Sequence, residues 1–274
     1  MGAERISRLP CGPLRPFVRL VWAVDEPAGP RPARRHEHVL PTGAMHLVIR
    51  LRQDPLRLYA GPEDRTGTLA AGALIGGARD TFYGRLVSGP QCSVGAQLRP
   101  GGGEALLGVP AFELAHRHTP LDDVWGAGVA AMRERLPELP LAARLDAFEA
   151  WLLARLPRVR AMHPAVAQLL SEFTVRGDVG RVIAGTGYSH RTMIDLFRRS
   201  VGLAPKEYVR VLRFTRALGA HAGRPSARRG RAGRRLQRPG ALLERVPGVR
   251  RRDRVPLSPH RASRPHHLPI GSLP

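Results

Sequence analysis

The chain has 274 residues, 43% of them hydrophobic, and a formal net charge of +22. That length and apolar content allow one large or two modest domains with real cores and argue against a wholly disordered chain. The two cysteines stand apart without CxxC spacing, which argues against a disulfide framework or a zinc cluster. Because no run of about 18 apolar residues and no apolar N-terminal core is present, we expect a soluble, cytoplasmic protein with no membrane partner.

Short strand-like runs dominate the region before Pro100. They are predicted at residues 18–24, 46–51, 56–60, within 69–75, and at 83–87 and 92–98, the last two as a pair around the turn from Ser88 to Pro90. Several short strands at this spacing, with little helix between them, favour an antiparallel barrel or sandwich.

Helical patterns take over after Pro100. Helices are predicted at residues 103–107, 121–136, 141–156 and, behind Pro164, 165–173. The third of these carries Leu145, Phe148, Leu152 and Leu156 on one stripe. Such a stripe is typical of core packing, and its alternative use is the contact face of a homodimer. The fold class is therefore α+β, with a β-rich domain at 1–118 and a helical connector at 119–160.

Three histidines of the β-rich region are candidate ligand-binding groups. On a strand, His36 and His38 point to one face, and His46 follows nearby. With no convincing fourth ligand, we assign no metal site and no other cofactor, and a cupin-type metal enzyme is the least favoured function. His116 and His118 have no nucleophile at motif spacing. The sequence thus predicts no catalytic residue, and we expect that the protein is not an enzyme.

Residues 178–218 have the pattern of two short helices joined by a glycine-containing turn. The first has apolar residues at helical spacing, after which Gly185 and Gly187 break the pattern. Ser189 is a suitable N-cap for the second. An apolar face (Met193, Leu196, Phe197) then lies opposite a polar face (His190, Arg191, Asp195, Arg198). This pattern is typical of a DNA-binding helix-turn-helix, although an ordinary helix pair with a solvated basic face has the same spacing.

The individual residues resemble the first helix-turn-helix of the AraC family of bacterial transcription regulators. The matching positions, over about forty residues without a gap, are Ala184, Ser189, Arg191, Phe197, the turn from Gly202 to Pro205, and the helix from Arg213 to Ala217. The stretch from Leu14 to about Trp125 is similar, more loosely, to the sensory domain of one AraC-like subgroup. That second resemblance rests on residues 40–49 and 95–110 and implies a cupin-like β domain with an unassigned ligand.

The resemblance implies a regulator that binds double-stranded DNA and responds to an unidentified small-molecule effector. The recognition helix, 189–200, would read base edges and the following residues would hold phosphates. Residues 161–222 would be the DNA-binding domain, with a joining helix from Pro205 to about Ala222. The predicted DNA-binding residues are Ser189, His190, Arg191, Thr192 and Asp195 toward the bases, and Arg198, Arg199, Lys206 and Arg210 toward the phosphates.

The second helix-turn-helix of that family is missing from the sequence. In its place, residues 223–274 are rich in proline and arginine, and by composition we expect them to be disordered or a basic arm for phosphates. A frameshift is a further explanation. One choice of allowed codons for residues 235–255, read one base later, encodes GYSDQAHFSSEFREFAGVTES, which resembles the missing unit. The alternative function is therefore a frameshifted product with a folded β domain and only weak, non-specific DNA binding.

Overall fold

The structure, a computed structural model, describes residues 4–27, 35–52, 56–61, 63–156, 161–175, 178–222 and 267–270. Within these ranges the fold is α+β, with antiparallel sheets in the N-terminal region and helices after it. The strands are β1 (Glu4–Arg8), β2 (Val18–Asp25), β3 (Arg35–Val39), β4 (His46–Arg50), β5 (Leu56–Tyr59), β6 (Thr68–Ala70), β7 (Ala73–Gly76), β8 (Tyr83–Val87), β9 (Cys92–Leu98), β10 (His118–Pro120) and β11 (His267–Ile270).

The helices of the same ranges come mostly after β9. They are α1 (Gly102–Leu107), α2 (Ala111–Leu114), α3 (Asp122–Trp125), α4 (Gly128–Arg135), α5 (Leu141–Leu153), α6 (Pro164–Val175), α7 (Val179–Ala184), α8 (His190–Val201) and α9 (Pro205–Ala222). No helix in this described part of the chain is both long enough and apolar enough to cross a membrane.

Two sheets form the N-terminal half. One has the strand order β1-β2-β9-β4-β7-β10 and the other β11-β3-β8-β5-β6. Successive side chains of the first sheet point to its two faces in turn. Leu47 and Ile49 are fully buried on the face that forms the main core together with α5. His46 and Gln97, which are paired across β4 and β9, share the opposite face. That opposite face turns toward the second sheet, because Leu74 of β7 packs in one cluster with Leu58 and Tyr83.

The predicted pairing of residues 83–87 with 92–98 is wrong. Both strands have the predicted bounds, but β8 pairs with β3 and β5, whereas β9 pairs with β2 and β4. The turn between them therefore carries the chain from one sheet to the other. Residues 69–75 behave in the same way, because the predicted single strand is divided between β6 and β7, which belong to different sheets around Gly72 at φ 69°.

The predicted helix 121–136 is broken into α3 and α4 at Gly126, whose φ of 70° and ψ of −161° are a non-helical conformation that favours glycine. The next prediction holds for most of its length, since α5 covers Leu141–Leu153. Its residues Leu145, Phe148 and Leu152 are fully buried and α5 packs on β2 and β9. The stripe is thus used for the core, and it offers no free face for the homodimer that it could otherwise have formed.

The predicted disordered tail, 223–274, lies outside the described residues except for β11. These four residues pair antiparallel with β3, in register from His267 opposite Val39 to Ile270 opposite His36. The expectation of disorder therefore does not hold for this short stretch. The physical reason is that β3 would otherwise be the edge strand of its sheet, and an extended segment can pair with the backbone groups of such an edge.

Candidate nucleic-acid interface

Local capping interactions form the turn between α7 and α8. The carboxylate of Asp178 accepts hydrogen bonds from the backbone N–H groups of Gly180 (3.0 Å) and Arg181 (3.2 Å) at the start of α7. At the start of α8, Ser189 Oγ accepts from the backbone N–H of Thr192 at 3.1 Å, as its N-cap prediction requires. Gly187 has a φ of 75°, which a residue with a side chain rarely adopts. The helix pair is thus specified by residues of its own segment.

One face of α8 is anchored in the core. Met193 and Phe197 are fully buried, and Leu196 is half-buried. The Phe197 ring makes edge contacts with Phe173 of α6, at 5.7 Å between centroids, and with Tyr208 of α9, at 5.6 Å. This aromatic cluster fixes the rotation of α8 about its axis, so the direction of its polar face is set by the core.

The polar face of α8 is open to solvent at its N-terminal end. The structure exposes all five residues that were predicted to read bases, namely Ser189, His190, Arg191, Thr192 and Asp195. Tyr188 immediately before them is 44% exposed. Long, hydrogen-bonding side chains on one exposed helix face can reach base edges in a groove. The geometry therefore fits the predicted contact surface, with Asp195 as its acidic member.

The four predicted phosphate-binding residues are divided. Arg198 and Lys206 are exposed. In contrast, Arg199 Nε donates to Glu104 Oε1 of α1 at 2.8 Å, and Arg210 forms an ion pair with Asp80, which follows β7. Carboxylates of the N-terminal half thus already hold two of the four cations. Sequence reasoning missed both acidic residues, because each is about a hundred residues or more from its partner.

Apolar contacts complete the attachment of α8 and α9 to the N-terminal half. A Cβ built on Gly43 would lie 3.4 Å from the ring of Tyr208 and from Val211. Further along α9, Phe214 and Leu218 pack against Leu40 and Phe82. The β domain therefore covers part of the apolar face of α9.

A groove of about 340 Å³ lies where α8 meets α2. It is lined by Phe112, Thr192, Asp195, Leu196 and Arg199. Phe112 is 44% exposed, so the groove has an apolar wall from the N-terminal half and a charged wall from α8. One side of the predicted recognition helix is therefore partly screened by α2.

The three candidate ligand histidines do not converge. His36 and His38 stand on one face of β3, where their rings contact Tyr59 (5.8 Å) and Phe82 (4.4 Å). His46 lies in the other sheet, on the face toward β8, with its ring 6.4 Å from Trp22. Among the residues that the structure describes, no group of three or more His, Cys, Asp or Glu side chains could hold a metal ion.

A polar cluster that sequence reasoning discounted lies between the sheets instead. Arg79 donates from a terminal nitrogen to His118 Nδ1 at 3.2 Å, and its guanidinium carbon lies 5.0 Å from the centroid of the Tyr83 ring. Burial, together with the nearby Arg79 and His46, lowers the pKa of His118 to about 3. The imidazole is therefore neutral at physiological pH. No motif spacing could have found this cluster, because three separate segments build it.

Residues 7–120 match a family model described as a domain of unknown function, DUF6597. This domain covers both sheets apart from β11 and the outermost residues of β1, together with α1 and α2. Neither a search of curated proteins nor a search of solved structures gives a significant match.

Proposed function

We propose that the chain is a sequence-specific DNA-binding transcription regulator, in which α8 is the recognition helix and residues 7–120 sense an unidentified small-molecule effector. The observation that carries the proposal is α8 itself. It follows a short helix and a glycine turn, is capped by Ser189, buries Phe197 and exposes Arg191 on its free face. The resemblance of residues 40–49 and 95–110 to the sensory domain of one AraC-like subgroup agrees with this proposal.

The division of the basic residues suggests how DNA binding is regulated. Arg198 and Lys206 are available to phosphates, whereas Arg199 and Arg210 are held by Glu104 and Asp80. A change in the N-terminal domain that separates Glu104 from Arg199 and Asp80 from Arg210 frees both arginines. The surface beside the recognition helix then has two more cations that can contact phosphates. An effector with different affinity for the two arrangements would shift the population between them.

The test is a binding measurement on the full chain in which the protein itself selects its operator. Random double-stranded DNA is selected on the purified protein, and fluorescence anisotropy then compares the selected duplex with a scrambled duplex over a series of salt concentrations. We expect the selected duplex to bind at least tenfold tighter, with the preference persisting as salt rises. Equal binding of both duplexes at every salt concentration would reject the proposal, because phosphate contacts alone carry no sequence preference.

The alternative is a frameshifted product that binds DNA only weakly and without specificity. The +12 charge of residues 220–274 and the lack of a second family-like unit favour this alternative. It predicts that selection enriches no sequence and that affinity falls steeply and equally for all duplexes as salt rises. The same experiment therefore separates the two functions.

A further inference from the structure

The segment between β7 and β8, residues 77–82, connects the interior of the N-terminal domain with α6 to α9, which we call the helical unit. We call this segment the coupling loop. Its first residue is held tightly against α2, because a Cβ built on Gly77 would lie 1.6 Å from the carbonyl oxygen of Leu114. Only glycine fits there without backbone movement. The path of the loop is therefore fixed at its start.

Arg79 is the residue of the coupling loop that points inward. It is only 7% exposed, and its Nε has no hydrogen-bond partner in the structure. Its contacts in the described part of the chain are the neutral ring of His118 and the face of Tyr83. A buried cation without a negative partner is costly, and its unpaired N–H is a directed donor. Among the residues that the structure describes, Arg79 thus has no contact with a negatively charged acceptor.

We propose that Arg79 is the anion-binding group of a small-molecule site between the two sheets, and that its ligand carries a carboxylate or a phosphate. The inference rests on the proposed function, because it identifies this ligand as the effector. The guanidinium offers Nε–H and a terminal N–H in the planar fork that suits a carboxylate or phosphate. Because Nδ1 of His118 accepts from Arg79, the imidazole proton lies on Nε2, which makes this ring a second donor.

The groups around Arg79 in the described part of the chain are uncharged side chains and a glycine. Gly76 lies between His46 and His118, and a Cβ built on it would meet each of these side chains only at an ordinary 3.8 Å. The Tyr83 ring stands edge-on to His118, with 4.6 Å between centroids. Two imidazole rings, a phenol ring and a glycine thus make up this part of the space between the sheets, and a methyl-sized group fits at Gly76 without a clash.

The next residues of the coupling loop alternate between the interior and the helical unit. Ala78 lies at the turn between α8 and α9, since a Cβ built on Gly202 would be 3.3 Å from its methyl group. Asp80 forms the ion pair with Arg210, and Phe82 packs in the cluster that includes Phe214 of α9. A ligand that draws Arg79 toward itself therefore acts on a loop with three other side chains in contact with the helical unit.

Asp80 also contacts a residue with an uncommon backbone conformation. The ring of His116 lies 3.6 Å from the Asp80 carboxylate, and His116 is a non-glycine residue with a positive φ, at 60°. Such a conformation costs free energy that the surrounding structure must supply. The carboxylate that holds Arg210 therefore lies beside a residue with an unfavourable backbone conformation.

Binding is tested on the full chain with two probes, inorganic phosphate and benzoate, against sodium chloride at equal ionic strength. We expect one or both probes to raise the melting temperature of the wild type by at least about 2 °C and to leave Arg79→Gln unchanged. Arg117→Gln is the matched control, because it removes the same charge from an exposed arginine beside His118. It should keep the wild-type shift. An equal shift in Arg79→Gln, or no shift with either probe in the wild type, would overturn the inference.

A second measurement needs no variant and so does not depend on whether Arg79→Gln folds. The Nε–H resonance of Arg79, followed by NMR in the wild type, should move on titration with the active probe, and a resonance that stays in place would refute the site.

Hydrogen exchange then tests whether the site is coupled to α9. The probe should change the exchange rates of residues 205–222 in the wild type and should not change them in Asp80→Asn. Neither readout uses DNA, so a chain that binds the probe but not DNA would retain the site and reject only the proposed function.

Discussion

Ser200 Oγ donates a hydrogen bond of 2.7 Å to Glu104 Oε2, and this contact joins the last turn of α8 to α1. Ser200 is only 4% exposed, so its hydroxyl depends on this partner. The other carboxylate oxygen of Glu104 accepts from Arg199. One acidic side chain therefore fixes the C-terminal end of the candidate recognition helix, while the end around Arg191 stays open to solvent.

Glu104→Ala should loosen this attachment and alter DNA binding. The buried Ser200 hydroxyl loses its partner, at a cost of about 1–3 kcal/mol in the free energy of unfolding, which urea titration measures. Arg199 is released for a phosphate, so the slope of log K against log salt should steepen by about 1. Glu113→Ala on α2, which removes an exposed carboxylate, is the control. An unchanged slope would show that Arg199 does not reach the DNA.

Arg191→Ala tests direct reading of bases. Arg191 is exposed on the first turn of α8, and we expect its loss to cost about 1–3 kcal/mol on the selected duplex and to relax the preference at one base pair. Arg181→Ala removes an exposed arginine of α7 and should leave that preference intact. If Arg191→Ala weakens selected and scrambled duplexes equally, the residue is a phosphate contact.

Phe197→Ala should destabilise the helical unit by roughly 3–5 kcal/mol, because the ring is fully buried between Phe173 and Tyr208 and the surrounding side chains close such a cavity only partly. The measurement is the urea midpoint with an unchanged m-value. Phe112→Ala, at an exposed position of α2, should cost far less. Similar losses for both variants would contradict the packing described for α8.

The buried imidazole of His118 makes stability depend on pH. Its folded pKa of about 3 lies below the ordinary value of 6.5, so between these values the unfolded chain binds a proton that the folded chain does not. Stability is therefore lost as the pH falls from about 6.5 toward 3. Between pH 7 and pH 5 this group alone should remove about 2 kcal/mol.

The check on this pH dependence is a pair of variants unfolded in urea at both pH values. His118→Asn keeps an acceptor for Arg79 but does not titrate, so it should lack the loss. His190→Asn removes an exposed histidine and should retain the loss of the wild type. The same loss in both variants would mean that His118 is not the source.

The features that sequence reasoning predicted correctly are those that depend on neighbouring residues. The Ser189 cap, the buried stripe of α5 around Phe148 and the strand bounds of β8 and β9 all follow from local chemistry and periodicity. Strand partners were not predictable from adjacency, because β8 and β9 each found a more distant strand. The partners of Arg199 and Arg210, and the cluster around Arg79, were missed since tertiary contacts alone bring them together.

The last prediction concerns the chain after α9. The family layout implied by the resemblance has two recognition helices about one turn of DNA apart, roughly 34 Å. The sequence supplies one such helix, followed by residues that add +12 of charge without a matching pattern. Specific affinity should therefore fall toward the non-specific range, roughly 10⁻⁴–10⁻⁶ M at physiological salt, while keeping the tenfold preference expected for the selected duplex. Restoring the shifted frame after about residue 225 should improve specific binding at least tenfold, about 1.4 kcal/mol.

Three measurements test this prediction and the origin of the tail. A chain ending at residue 222 removes the tail charge, so it should lose non-specific affinity and gain no sequence preference. Resequencing the locus tests the origin of the tail directly, because an intact frame that encodes the present residues 223–274 would contradict the frameshift. If the present and restored chains bind the selected duplex equally, with the same preference over scrambled DNA and little dependence on salt, then the tail contributes to recognition. In that case α8 is not the only element that reads the DNA sequence.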